Sequence, residues 1–153
     1  MIHNDILRRL RYALNLNDAQ MIEIFALSDY EIEKSYMLSI MLKEGEEGFL
    51  PCRDAVLELF LDGLIIKMRG KQEGKERQGL KPGERLSNND ILRKLRIALN
   101  MREDDLIATL KLADFNVGRS ELSALFRKST HRNYVECGDQ LLRNFLNGLS
   151  KRP

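Results

Sequence analysis

The chain is written twice, and that repetition limits its architecture more than any other feature. The run Asn4-Asp5-Ile6-Leu7-Arg8-Arg9-Leu10-Arg11-Tyr12-Ala13-Leu14-Asn15 returns as Asn89-Asp90-Ile91-Leu92-Arg93-Lys94-Leu95-Arg96-Ile97-Ala98-Leu99-Asn100. Carried forward without a gap at an offset of 85, the register sets Leu27 on Leu112, Asp29 on Asp114, Cys52 on Cys137, Asp54 on Asp139 and Gly63-Leu64 on Gly148-Leu149. Residues 4–64 and 89–149 are identical at 22 of 61 positions, and many others exchange like for like, as Met37 does with Leu122. Ungapped similarity of that length marks a tandem duplication, and two copies are too few for an open solenoid. Each copy is expected to be a compact unit.

That unit reads as helical. Leu, Ile, Arg, Lys and Glu dominate a chain with 3 prolines and no tryptophan, a mix that favours helix over a turn-rich sandwich. Four helices per copy follow from the apolar spacing. The first places Ile6, Leu10, Ala13 and Leu14 on one stripe, with Asn4 or Asn89 as N-cap and Asp5 or Asp90 in the first turn. The second buries Met21, Ile22 and Phe25, or Leu106, Ile107 and Leu110, and ends at Asp29-Tyr30 or Asp114-Phe115. The third carries Met37, Ile40 and Met41, or Leu122, Leu125 and Phe126, and stops near Gly45 in the first copy. The fourth starts near Pro51 and presents Val56, Leu57, Phe60, Leu61 and Leu64, or Leu141, Leu142, Phe145, Leu146 and Leu149. The expected fold class is all-α: two tandem four-helix units whose second and third helices resemble a helix-turn-helix.

The domain plan is residues 1–66 as first repeat, 67–88 as a flexible basic linker and 89–153 as second repeat. The linker holds Gly70, Gly74, Gly79, Pro82 and Gly83 with little apolar content, the composition of a solvated connector. As a coil of that length it spans roughly 26 Å, enough for many mutual orientations. A unit of about 60 residues buries only about 60% of its unfolded surface and is marginal alone. Charge offers a remedy: residues 4–64 carry 6 basic against 12 acidic groups, residues 89–149 carry 10 against 8, and 65–88 carry 7 against 3. An acidic first copy beside a basic second copy and linker is expected to dock on it.

Chemistry-bearing clusters are sparse. In the second copy, residues 106–128 resemble a helix-turn-helix, with Arg119, Arg127, Lys128 and Arg132 as candidate phosphate contacts. The matching stretch of the first copy holds Glu31, Glu33, Glu44, Glu46 and Glu47 around Lys34 and Lys43, which opposes nucleic acid. Cys52 and Cys137 recur at the start of the fourth helix, where a thiol pKa can fall, but a small buried apolar role explains them better. Two histidines and two cysteines have no zinc-site spacing, and there is no Ser-His-Asp set or Walker pattern. Asp54 and Asp139 are expected to pair with Arg11 and Arg96 across helices. Hence no catalytic, metal or cofactor residue is assigned, and an enzyme is disfavoured.

The Asn-Asp-Ile-Leu-Arg-x-Leu-Arg openings, the closings Phe60-Leu61-Asp62-Gly63-Leu64 and Phe145-Leu146-Asn147-Gly148-Leu149, and Ser123-Ala124-Leu125-Phe126-Arg127-Lys128 carry a resemblance. On those residues the chain resembles the bacterial YehS-like family, a tandem pair of domains of unknown function, over essentially its whole length. The resemblance implies a small cytoplasmic bacterial protein and supplies no activity, cofactor or catalytic residue. Composition agrees: no apolar run approaches the roughly 18 residues of a membrane span, Met1–Asp5 lacks a leader pattern, and two cysteines suit a reducing compartment. The function expected is a binding or adaptor module contacting another macromolecule, protein before nucleic acid, through a helix surface. The alternative is a nucleic-acid-binding regulator acting through the second repeat.

Overall fold

A computed structural model describes residues 1–74 and 76–153. Among the described residues there are eight α-helices and no strand. The first copy contributes α1 (His3–Ala13), α2 (Asp18–Leu27), α3 (Lys34–Ser39) and α4 (Asp54–Arg69). The second contributes α5 (Asn88–Ala98), α6 (Glu103–Leu112), α7 (Arg119–Leu125) and α8 (Asp139–Ser150). The same four-helix order repeats, as the duplicated sequence requires.

Duplicated residues account for the helix ends. Asn15 and Asn100 have φ of 52° and 51°, and Asp29 and Asp114 have φ of 62° and 58°. Short polar residues tolerate that left-handed conformation better than apolar ones, so all four serve as helix stops. The next residue then bonds back across the last turn: Leu16 N to Arg11 O, Met101 N to Arg96 O, Tyr30 N to Phe25 O and Phe115 N to Leu110 O, at 3.0–3.2 Å. An apolar side chain follows each stop and folds onto the core, which completes the motif.

Three local expectations are corrected. Asn4 and Asn89 are not N-caps; each lies inside the first turn and is buried. Ser87 caps α5 instead, accepting from Asp90 N, while Ile2 precedes α1 without a side-chain cap. The third helix stops at Ser39, well before Gly45, and α4 opens at Asp54, three residues after Pro51.

The two copies share one core. α4 packs along α5, and α8 packs along α1, more extensively than either pairs with the first helix of its own copy. Buried residues from both copies, including Leu7, Phe25, Phe60, Leu95, Leu110 and Phe145, form a single cluster. A shared core relieves the marginal burial of each half. The seam repeats across the duplication: Lys94 Nζ donates to Asp62 Oδ1 at 2.6 Å, and Arg9 Nη1 donates to Asn147 Oδ1 at 2.8 Å. The ion pairs between the copies, Lys94 with Asp62 and the Met1 amino group with Asp139, lie around the shared apolar core.

Residues 67–88 are not all connector. Lys67–Arg69 extend α4, and Asn88 opens α5. Between them the chain returns along α4. Arg77 reaches Glu58 Oε1 and Asp62 Oδ2, both at 2.8 Å, Leu80 N donates to Glu58 at 3.0 Å, and Leu86 N donates to Asp54 at 2.8 Å. Leu86 is buried.

Candidate functional site

The residues first suspected of touching nucleic acid do not form one helix face. α7 has seven residues, and of the four candidates only Arg119 lies on it. Its guanidinium donates to Asp104 on α6, while Ser123 Oγ donates to Glu103 Oε1 at 3.0 Å. Arg127, Lys128 and Arg132 fall in the loop between α7 and α8. That loop is built by its own bonds: Arg127 Nη1 to Asn133 O at 3.0 Å, His131 N to Lys128 O at 2.8 Å, and Asn133 N to His131 Nδ1 at 3.0 Å. Lys128 and Arg132 point their charge at solvent, and Arg127 is half-buried. The element is a basic loop.

Asn4 and Asn89 set the position of that loop and of its counterpart. Asn4 Nδ2 donates to Leu42 O (3.1 Å) and Leu50 O (2.9 Å), and its Oδ1 accepts from Cys52 N (2.7 Å). Asn89 repeats the pattern with Leu125 O, Val135 O and Cys137 N, each at 2.9 Å. Each asparagine thus uses donor and acceptor to tie a helix start to a loop more than thirty residues away.

The cysteines are held beside those asparagines and are buried. Burial, then the charge of Asp54, pushes the Cys52 thiol up to about 12; burial, then Asp139, pushes Cys137 up to about 11. A helix N-terminus does not rescue reactivity here, because desolvation of the thiolate outweighs it.

Asp54 and Asp139 do not meet Arg11 and Arg96, contrary to expectation. Asp54 accepts from Leu86 N and lies 3.4 Å from His3 Nδ1; Asp139 accepts from Met1 N and Asn88 Nδ2, both at 2.8 Å. Arg11 pairs with Asp18 at 2.5 Å, and that bond holds the Asp18 carboxyl below its ordinary range. Arg96 donates to Met101 O at 3.1 Å and stacks 4.6 Å over the Phe126 ring. Burial lowers the His3 pKa, opposed by Asp54. Among the described residues no group of three or more His, Cys, Asp or Glu is placed to hold a metal ion.

Sequence reasoning missed the exposed apolar residues. Tyr12 is 79% exposed and its counterpart Ile97 46%; Leu50 is 45% exposed and its counterpart Val135 50%. Both pairs recur at the offset of the duplication. The available signal was an apolar residue kept off the buried stripe in both copies. A shallow cleft lies between the linker and the start of α4, lined by Arg53, Asp54, Leu80 and Arg85 among others.

No described helix is long and apolar enough to cross a membrane. The family model described as a protein of unknown function (DUF1456) matches residues 3–70 and again 88–152, the two halves of the duplication. The chain is also 44% identical over 152 residues to the uncharacterized protein YehS of Escherichia coli (strain K12), covering 99% of this chain and 96% of that protein. No solved structure matches. The chain belongs to the DUF1456 family of proteins of unknown function and carries its unit in two tandem copies.

Proposed function

We propose that the protein is a non-enzymatic binding or adaptor module that contacts another protein through the outer faces of α1 and α5. One observation carries this reading: Tyr12 and Ile97 occupy the same outward position in both copies and stay exposed. An exposed tyrosine offers a large contact area at small entropic cost, as binding surfaces require. Around it Asp5–Arg8 and Asp90–Arg93 pairs frame the two faces alike. Two neutral, buried thiols in place of a nucleophile support a role without catalysis, and unpaired cysteines suit the cytoplasm. The test is capture from bacterial lysate by the wild type and by Tyr12→Ala with Ile97→Ala. A protein held by the first and lost by the second is the expected result; identical captures defeat the reading.

A second reading, a nucleic-acid-binding regulator, draws on the basic loop. Lys128 and Arg132 are exposed there without carboxylate partners among the described residues. Gel-shift titration over a salt series separates the two. Steep salt dependence removed by Lys128→Glu with Arg132→Glu supports nucleic acid, whereas no retention at low salt ends it.

A further inference from the structure

Four helix starts and two unlike loops meet at one end of the molecule. Leu86 N on Asp54 and Met1 N on Asp139 make the starts of α4 and α5 neighbours, and likewise those of α8 and α1. His3 beside Asp54 and Asn88 on Asp139 join the first helix of each copy to the last. Asn4 and Asn89 then fasten loops 40–53 and 126–138 to this same end. Their backbones are built alike, with Leu50 N to Ser39 O and Val135 N to Ala124 O, both at 3.2 Å.

Their charges are opposite. Glu44, Glu46 and Glu47 are exposed on the first loop. The second answers with exposed Lys128 and Arg132 and half-buried Arg127; Lys43 and Arg53 on the first loop and Glu136 on the second reduce the contrast without reversing it. Each loop also leaves one apolar residue outside the core, Leu50 at 45% and Val135 at 50% exposure. α4 packs on α5 of the other copy and α8 packs on α1 in return, so exchanging the copies maps each seam onto the other, as a half-turn does, and this has a geometric consequence. A second copy placed end to end and turned over brings acidic loop onto basic loop at both sides at once, a closed and self-complementary contact.

We propose that this end of the molecule binds a second copy of the same chain, with the 44–50 loop of each copy seated on the 127–135 loop of the other. Leu50 meets Val135 at the centre of each contact, and the charged residues surround them, the usual order of apolar core and polar rim. Four positive helix ends of each copy face the four of the other in this arrangement. Asp5, Asp54, Asp90 and Asp139 in their first turns offset the repulsion. The surface is distinct from the Tyr12 and Ile97 faces, so the two proposals stand or fall separately.

Sedimentation of the full chain, with and without nuclease treatment, is the test. A dimer is expected at about 0.01 M salt, where charges act over roughly 30 Å, and its loss at about 1 M, where they act over roughly 3 Å. Glu44→Lys, Glu46→Lys and Glu47→Lys together give a chain with two basic loops; Lys128→Glu with Arg132→Glu gives one with two acidic loops. Each variant alone should be monomeric, and an equimolar mixture should restore the dimer. A wild type monomeric at low salt overturns the proposal, as does a mixture that stays monomeric. So does a larger species that nuclease removes, which would assign the basic loop to nucleic acid.

Discussion

Gly63 lies directly against the backbone carbonyl of Ile24: a Cβ built on Gly63 would stand 1.9 Å from that oxygen. Gly148 meets the carbonyl of Thr109 in the same way, at 2.0 Å. These are the points where α4 crosses α2 and α8 crosses α6. Backbone cannot yield as a flexible side chain does, so Gly63→Ala or Gly148→Ala must separate the helices. Overpacking of that kind costs about 1–3 kcal/mol, at the upper end here because the obstacle is main chain. Urea unfolding should show each substitution lowering the midpoint, and Gly138→Ala, whose Cβ meets nothing within 4 Å, lowering it less, by no more than the loss of a favourable N-cap residue.

Asn4 and Asn89 each satisfy three backbone groups while buried. Replacing either by Ala strands one N–H and two carbonyls, although water at the loop edge recovers part of the loss. The expected cost is about 2–4 kcal/mol per site. Hydrogen exchange should show where it falls: Cys52 N–H loses protection in Asn4→Ala and Cys137 N–H in Asn89→Ala. Unchanged protection would mean the loops are held some other way.

Much of the fold was legible because it rests on local signals. The helix stops Asp29 and Asp114 and the apolar stripes act within a turn or two of themselves, and duplication doubled each signal; Gly63 and Gly148 recur just as visibly, but their role depends on carbonyls of another helix. What was not legible depends on partners distant in sequence. An asparagine in a first helical turn reads as a cap whether or not a loop lies 48 residues away, as Cys52 does from Asn4. An apolar stripe does not say which helix covers it, so the α4–α5 and α8–α1 seams could not be inferred from spacing. Glu58 looks like an ordinary outward helix position until Arg77 folds back on it. Phe126 continues the stripe of Leu122 and Leu125 and so carries the expected helix on to Arg127 and Lys128, yet Phe126 turns under Arg96 and the helix has already ended.

Thiol chemistry gives a direct test of the cysteine assignment. With Cys52 pushed up to about 12, only about one thiol in ten thousand is ionised at pH 8. A disulfide reagent should therefore react at least a hundredfold more slowly with the native protein than with the urea-unfolded chain, for both Cys52 and Cys137. The neutral form is the one the native state prefers, so this contribution to stability is full below pH 9 and declines as pH rises above it.

His3 should make the protein sensitive to mild acid. Burial lowers its pKa in the folded chain, with Arg85 and the Met1 amino group adding to the effect and Asp54 opposing it. The unfolded chain then binds the proton more readily, so stability is full above pH 6.5 and falls as pH drops through the folded value. The second copy has Asn88 at the matching position, donating to Asp139 without titrating. His3→Asn should accordingly flatten the unfolding midpoint between pH 7 and pH 5 while leaving it near the wild-type value at pH 7.5. An unchanged slope would show that His3 is not the titrating group.

Arg77 secures the connector to α4 through Glu58, which is only 4% exposed, and through Asp62, which also holds Lys94 across the seam. Arg77→Ala leaves Glu58 with a single donor, Leu80 N. A buried carboxylate stripped of its cation is expensive, and with Arg77 itself part exposed the loss should be about 2–3 kcal/mol. The cost arises from the charge left behind rather than from the contact removed. Glu58→Leu combined with Arg77→Ala should therefore be more stable than Arg77→Ala alone. A double-mutant cycle by urea unfolding reads both numbers, and additive losses would show that the two side chains do not act as a pair. Proteolysis supplies the structural readout: with Arg77 gone, cleavage between residues 70 and 82 should accelerate while the shared core stays intact.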